Sequence, residues 1–364
     1  MTTLPPKLST QPCLPGHLGN PGLILKTEPR AHPKMVAALA PLGLDVPSAP
    51  PPVTADAPLQ DRLDFVTQAE LGFQAVFDAL FADLPPLENV ERRTVTIKGE
   101  DDNDINLYIH RPQNTAGILP CVYHIHGGAM AMLETTDNTF VRWRDELAVM
   151  GMVAVGVEFR NAGGKLGNHP FPAGLHDCMS GLQWIFDNRA ALGCSKITVL
   201  GESGGGNLAL AVGLKAKQDG KLEQIAGVYA MCPYISNAYA DKIPELPSLY
   251  ENDEFFLSCA MLGVAASIYD PDHKNDNNPL CWPYYAKPED LQGLPPHVIS
   301  VNELDPLRDE GLKYFRTLTA AGVNVYSRTV NGTCHAGDAI FLKALPEVSA
   351  ATLRDIKGFA DSLS

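Results

Sequence analysis

The chain has 364 residues, long enough for one large α/β domain or two modest ones with a substantial core. Hydrophobic residues make up 45% of it, which excludes general disorder. With 42 Asp and Glu against 28 Lys and Arg, the net charge is −14, and no basic run offsets it, so nucleic acid and anionic membrane surfaces are not expected partners.

The opening stretch, MTTLPPKLSTQPCLPG, has neither a basic n-region nor an apolar h-region, and no secretory signal is expected. No window approaches 18 uninterrupted apolar residues, so no membrane span is expected either. The eight cysteines, at 13, 121, 178, 194, 232, 259, 281 and 334, include no CxxC pair. They argue against a zinc site and read as reduced, buried thiols in a cytoplasmic setting.

Residues 1–60 hold 13 of the 30 prolines, a density that suits extended, wrapping chain. Two helical patterns accompany it, HPKMVAALAPLG (32–43) and QDRLDFVTQAELGFQAVFDALFADL (60–84). In the second, Phe73, Phe77 and Phe81 fall four apart and share one face, a stripe expected to pack in the core rather than to form a substrate surface. Beyond Pro86 the texture changes. RRTVTIKG and DINLYIHR alternate in the manner of strands and are joined by EDDN, a hairpin signal. Apolar strand-like runs follow at 119–125, 152–159, 196–201, 225–232, 296–302 and 324–330, with helical stretches at 137–149, 174–190, 204–217 and 308–321. Eight strands result, the first pair antiparallel, in a mostly parallel sheet with helices on both faces. Residues 237–285 are too many for a connection and read as an inserted cap segment, with a helix over EFFLSCAMLGVAASIYDP (254–271). The expected organisation is an N-terminal segment with cap helices (1–88), a catalytic α/β domain (89–236 and 286–364) and the insertion (237–285).

In parallel sheets, sites form beyond the carboxyl ends of the strands. After KITVL comes GESGG (201–205), a G-x-S-x-G turn opening a helix, which sets Ser203 above the sheet as a candidate nucleophile. A phosphate loop fits less well, since neither Gly-Lys-Ser/Thr nor G-x-G-x-x-G spacing is present. A serine hydroxyl needs a base, and the base an acid to orient it. Asp305 follows the strand HVISVN, with Glu303 and Asp309 as rivals, and His335 follows the last strand in NGTCHAGD. The order Ser, Asp, His is that of an α/β-hydrolase. HIHGGAM places Gly127 and Gly128 after the third strand, where their N–H groups, with that of Gly204, make a candidate oxyanion hole.

The segments HGGAM, EFRNAGGKLGNHPFPAGLHDC, GESGGGNLAL and LPPHVISVNELDPLRDEGLKYFRTLTAAGV, with NGTCHAG, resemble the hormone-sensitive-lipase-like family of α/β-hydrolase esterases. The resemblance covers roughly residues 90 to 345, and HPKMVAALAPLG looks like that family's N-terminal cap helix. It implies an α/β-hydrolase fold, carboxylester hydrolysis without a cofactor, a lid built from the N-terminal segment and the insertion, and frequent homodimers. Three places depart from the family pattern: Ala129 stands where a third glycine is usual, Glu202 and Gly204 replace the Asp and Ala of GDSAG, and Cys334 precedes the histidine with Ala336-Gly337 after it.

The neighbours have plainer readings too. Glu202 is expected to fix its turn through adjacent backbone, or to act on substrate as a neighbour of the nucleophile. Cys334 is expected to pack. His124 and His126 share an H-x-H spacing without accompanying ligands, so no metal is expected, and His126 is expected to order the glycine loop. Met130, with Met132, is a candidate acyl-pocket residue. The reading is a serine carboxylesterase for short- to medium-chain acyl esters. Its rivals are an acyltransferase using the same three residues and a non-catalytic small-molecule receptor.

Overall fold

The computed structural model describes residues 14–363. Cys13 and most of the opening stretch on which the signal-peptide expectation rests lie outside them. One eight-stranded sheet forms the centre: β1 (Val90–Lys98), β2 (Asp104–Pro112), β3 (Leu119–Ile125), β4 (Val153–Val157), β5 (Cys194–Glu202), β6 (Gly227–Met231), β7 (His297–Asn302) and β8 (Val325–Val330). Their spatial order is β1-β2-β4-β3-β5-β6-β7-β8. β2 runs antiparallel to both β1 and β4, and every other pairing is parallel. This is the expected sheet.

Eight longer helices accompany it: α1 (Pro33–Leu39), α2 (Leu59–Phe81), α3 (Asn138–Val149), α4 (Ala173–Asp187), α5 (Gly204–Gln218), α6 (Cys259–Tyr269), α7 (Arg308–Ala320) and α8 (Pro346–Ser362). β4, β6 and β7 are buried at every position, because both sheet faces are covered. β6 shows how. A Cβ on Gly227 would strike Phe359 and Leu363 at the end of the chain, whereas the neighbouring Val228 faces Gly213 of α5. Successive residues of a strand point to opposite faces, so α8 and α5 lie on opposite sides. The edge strand β1 exposes Glu91, Arg92 and Arg93, charges that discourage pairing with another sheet.

Two helices differ from expectation. α8 was not anticipated; it buries Leu353, Ile356, Phe359 and Ala360 along one stripe, with Pro346 in its first turn. α6 starts five residues later than the pattern at 254 suggests. Glu254 and Phe256 take positive φ, 64° and 78°, and the Asp253 carboxylate accepts the Cys259 N–H at 2.8 Å, so the chain turns before the helix begins.

α2 and α6 pack against each other, and Arg62 of α2 donates to the Ser267 carbonyl of α6 at 2.8 Å. Buried Glu70 anchors α2 below, accepting the N–H groups of Leu133 (2.6 Å) and Lys165 (2.7 Å). Glu251 ties three segments together through ion pairs with Arg30 (2.5 Å) and Arg308 (2.8 Å). No helix among the described residues is long and apolar enough to cross a membrane.

Candidate active site

Ser203 lies between the end of β5 and the start of α5 with φ 57° and ψ −119°. A left-handed φ on a non-glycine residue costs about 1–3 kcal/mol and persists only where the surroundings impose it. Here they do. The Ser203 N–H donates to the Met231 carbonyl at 2.9 Å, and its carbonyl accepts from Tyr234 (3.0 Å) and Asn207 (3.1 Å). The flanking glycines are steric necessities: a Cβ on Gly201 would collide with the Gly205 carbonyl, and one on Gly205 with that of Ile125. The G-x-S-x-G spacing therefore follows from a turn in which three backbone segments touch.

Asp305, beyond β7, and His335, beyond β8, are brought together. The His335 Nδ1–H donates to Asp305 Oδ2 at 2.8 Å, and Asp305 Oδ1 accepts the Leu307 N–H at 3.0 Å. Both residues are buried. Burial opposes the charged imidazole, but the Asp305 carboxylate and the Cys232 side chain beside it prevail and hold its pKa well above the ordinary histidine value. The rival acids are otherwise engaged: Glu303 accepts the Gly332 N–H at 2.7 Å and Asp309 accepts the Ser248 N–H at 2.7 Å.

The glycine loop after β3 differs from expectation in detail. The Gly127 N–H does not face open space; it donates to Glu202 Oε1 at 3.0 Å, which removes it from the candidate oxyanion donors. The other carboxylate oxygen of Glu202 meets His124 Nε2 at 2.9 Å. Glu202 thus spans from the nucleophile turn to the next strand and its loop. Its carboxylate holds backbone across the sheet rather than its own turn, and the residue also lines the cavity. Gly128, Ala129 and Met130 follow with φ of 117°, 55° and 57°, and the Gly128 carbonyl accepts from Ala131 (2.9 Å) and Met132 (3.0 Å). This tight turn brings the loop against the start of α5. A Cβ on Gly204 would sit 2.5 Å from the Met130 nitrogen and 2.7 Å from the Ala129 nitrogen. Two departures from the family pattern, Ala129 and Gly204, therefore touch: the helix lacks the methyl that the approaching loop leaves no room for.

His126 orders the loop, as expected, through Nδ1 to the Gly127 carbonyl at 2.7 Å, and its ring stacks on Phe159 at 4.4 Å. Burial pushes its pKa down to about 3, so it is neutral. Below it lies a polar layer that the sequence did not reveal. Buried Arg144 donates to the Thr135 carbonyl at 2.8 Å, and burial raises neighbouring Glu158 to about 7.

Ser203 and His335 line one cavity. Its walls are otherwise almost wholly apolar. Phe73 and Phe77 come from α2, Phe256 and Met261 from the insertion, and Met132 and Phe140 from the sheet side. The aromatic stripe of α2 is thus divided, with Phe73 and Phe77 at the cavity and Phe81 in the core. Met130 is buried and does not line the cavity; the turn at Gly128 presents Met132 instead. Phe256 reaches the cavity because it stands in the turn before α6, with φ 78°, and not on the helix that its local pattern suggests.

A mostly parallel sheet with a strained serine at a strand-to-helix turn and an Asp–His pair beyond two later strands defines an α/β-hydrolase. The chain belongs to that family: the α/β hydrolase fold matches residues 122–338. Among its relatives, an arylesterase of Saccharolobus solfataricus is 31% identical over 81% of this chain and 93% of its own length. The carboxylesterase NlhH of Mycobacterium tuberculosis is 31% identical over 77% and 85%. A solved structure described as a brefeldin A esterase, a bacterial homologue of human hormone-sensitive lipase, superposes with a TM-score of 0.94 at 45% identity, covering 96% of this chain and 98% of that one. The protein is a carboxylic ester hydrolase of the hormone-sensitive-lipase-like kind.

Proposed function

We propose that this protein hydrolyses small, neutral carboxylic esters through an acyl-enzyme on Ser203. The observation that carries the reading is the His335–Asp305 hydrogen bond at 2.8 Å behind a cavity that Ser203 and His335 share. His335 Nε2 takes the Ser203 proton as Oγ attacks the carbonyl carbon, while Asp305 holds the Nδ1–H and so fixes the tautomer. The oxyanion meets the N–H groups of Gly128, Ala129 and Gly204; none of the three donates to a backbone carbonyl, and none is held by the Glu202 carboxylate as Gly127 is. The start of α5 adds the positive end of its dipole. The imidazolium then gives its proton to the leaving alcohol, and water repeats the cycle on the acyl-enzyme.

The substrate class follows from the walls. Of the charged side chains at the cavity, Glu202 is already paired, and the other walls are apolar, so neutral acyl and alcohol groups are favoured, and a short- to medium-chain acyl group belongs to this reading. α2 and the insertion act as its cap, and 1–88 and 237–285 serve as cap segments on one catalytic domain. The seven cysteines among the described residues are free, in keeping with a reducing, cytoplasmic setting. A homodimer is proposed on the family resemblance alone.

The test is labelling with an aryl-ester panel as readout. A fluorophosphonate should modify Ser203 alone, and Ser203→Ala should lose turnover of every ester in the panel. Labelling elsewhere, or an active Ser203→Ala, refutes the assignment. An added alcohol acceptor in the same assay separates hydrolysis from acyl transfer.

A further inference from the structure

Cys232 follows β6 directly, on the strand between the one that carries Ser203 and the one that carries Asp305. The chain bends there, with φ 33° at Cys232 and its N–H donated to the Ser300 carbonyl at 2.7 Å. The bend turns the thiol toward the Asp305–His335 pair. One ligand atom from each of Cys232, Asp305 and His335 lies within 4.8 Å of the other two, and all three residues are buried. Among the described residues this is the one such group of three.

From this geometry we propose that Cys232, Asp305 and His335 form an inhibitory binding site for a thiophilic divalent cation of the zinc and cadmium class. Sulfur, imidazole and carboxylate together make the ligand set that such borderline-soft ions prefer over hard ones. Bonds of about 2.0–2.3 Å to a tetrahedral ion set ligand atoms roughly 3.3–3.8 Å apart, so the sulfur must draw in while Asp305 and His335, 2.8 Å apart, part slightly. Charge also favours the ion. Cys232 loses its thiol proton to solvent, and thiolate, carboxylate and dication sum to zero in a buried place. The His335 ring binds through Nδ1, the nitrogen that faces Asp305, and keeps a proton only on Nε2, so one proton leaves for each ion bound when the ring starts neutral and two when it starts as imidazolium. No redox change and no further reactant is involved. An Nε2–H points a donor at the cavity and cannot accept the Ser203 proton. Inhibition thus rests on the proposed role of His335, whereas binding does not.

The experiment titrates the wild-type enzyme, Cys232→Ser, Cys232→Ala and Ser203→Ala with cadmium. It follows the ultraviolet thiolate-to-cadmium charge-transfer band and aryl-ester turnover together. Wild type should gain the band and lose turnover in parallel, slowly because the ligands are buried, and a chelator should restore both. Cys232→Ser and Cys232→Ala, each judged against its own turnover without cadmium, should lack the band and need at least ~10-fold more cadmium for the same fractional inhibition. Ser203→Ala should show the band although inactive. Equal midpoints and equal bands in wild type and both Cys232 variants overturn the site. A band without inhibition in wild type overturns the claim that the bound ion disables the base. An active Ser203→Ala fails the mechanism while leaving cadmium binding to be judged on its band.

Discussion

Glu202 and Gly127 stand 75 residues apart in sequence, and the carboxylate of the first accepts the N–H of the second at 3.0 Å. With His124 on the other oxygen at 2.9 Å, this carboxylate locks the glycine loop to the nucleophile turn. Glu202→Ala should strand two buried donors, a cost of about 1–3 kcal/mol in stability, and free the loop. Turnover should fall about 100-fold, the scale of a lost oxyanion donor, with KM little changed. Glu202→Gln keeps an acceptor for Gly127 and should recover most of it. Steady-state kinetics on one aryl ester, with denaturant unfolding of each variant, separates the two effects.

Gly204 and Ala129 form a second such pair. A methyl at position 204 has backbone nitrogens at 2.5 and 2.7 Å, contacts that force the loop away. Gly204→Ala should therefore lower turnover by at least ~10-fold by moving the proposed donors. Ala129 has φ 55°, a conformation that glycine adopts without strain. The double variant Ala129→Gly/Gly204→Ala should recover part of the loss, because a glycine lets the loop shift to admit the methyl. Additive single-variant effects in this cycle would show that the two positions do not couple.

Raising the His335 pKa sets the pH dependence. Catalysis needs the neutral imidazole, so turnover should appear only as pH rises through a value above the ordinary ~6.5. Asp305→Asn removes the carboxylate that sustains the rise. The acid limb of the kcat/KM profile should then move toward lower pH, while turnover falls about 10⁴-fold. Stability runs the other way. The protonated ring is favoured in the folded state, so its contribution is complete below the unfolded-state value and fades as pH rises through the folded-state value. A pH series of urea midpoints for wild type and Asp305→Asn should diverge at low pH and converge at high pH.

Phe73 of α2 and Phe256 of the insertion meet edge to face at the cavity, with centroids 6.4 Å apart. Two segments distant in sequence thus build one wall. Phe256→Ala should enlarge the cavity, weaken kcat/KM for short acyl chains by about 10-fold and relatively favour longer ones, on the scale of one or two methylenes of contact. Phe73→Ala should act in the same direction. A chain-length panel measures both, and an unchanged preference would remove these rings from the substrate surface.

Much of the molecule was legible from local pattern. Strand runs, their turns and the glycines around Ser203 are set by short-range sterics, and the order of Ser203, Asp305 and His335 follows from each standing at the end of its own strand. α8 escaped because its stripe alternates with small and polar residues, and α6 was drawn too long because one capping carboxylate, Asp253, decides where it starts. What the tertiary structure decided is which groups are already engaged. Gly127 looks like a donor until Glu202 takes its N–H, Met130 looks like a pocket residue until the turn at Gly128 presents Met132, and Cys232 shows no chemistry until β6 sets it beside Asp305 and His335. The physical reason is the same in each case. Sequence pattern reports forces within one element, whereas the partner of a buried polar group is chosen by strands and loops that meet only after the sheet has assembled.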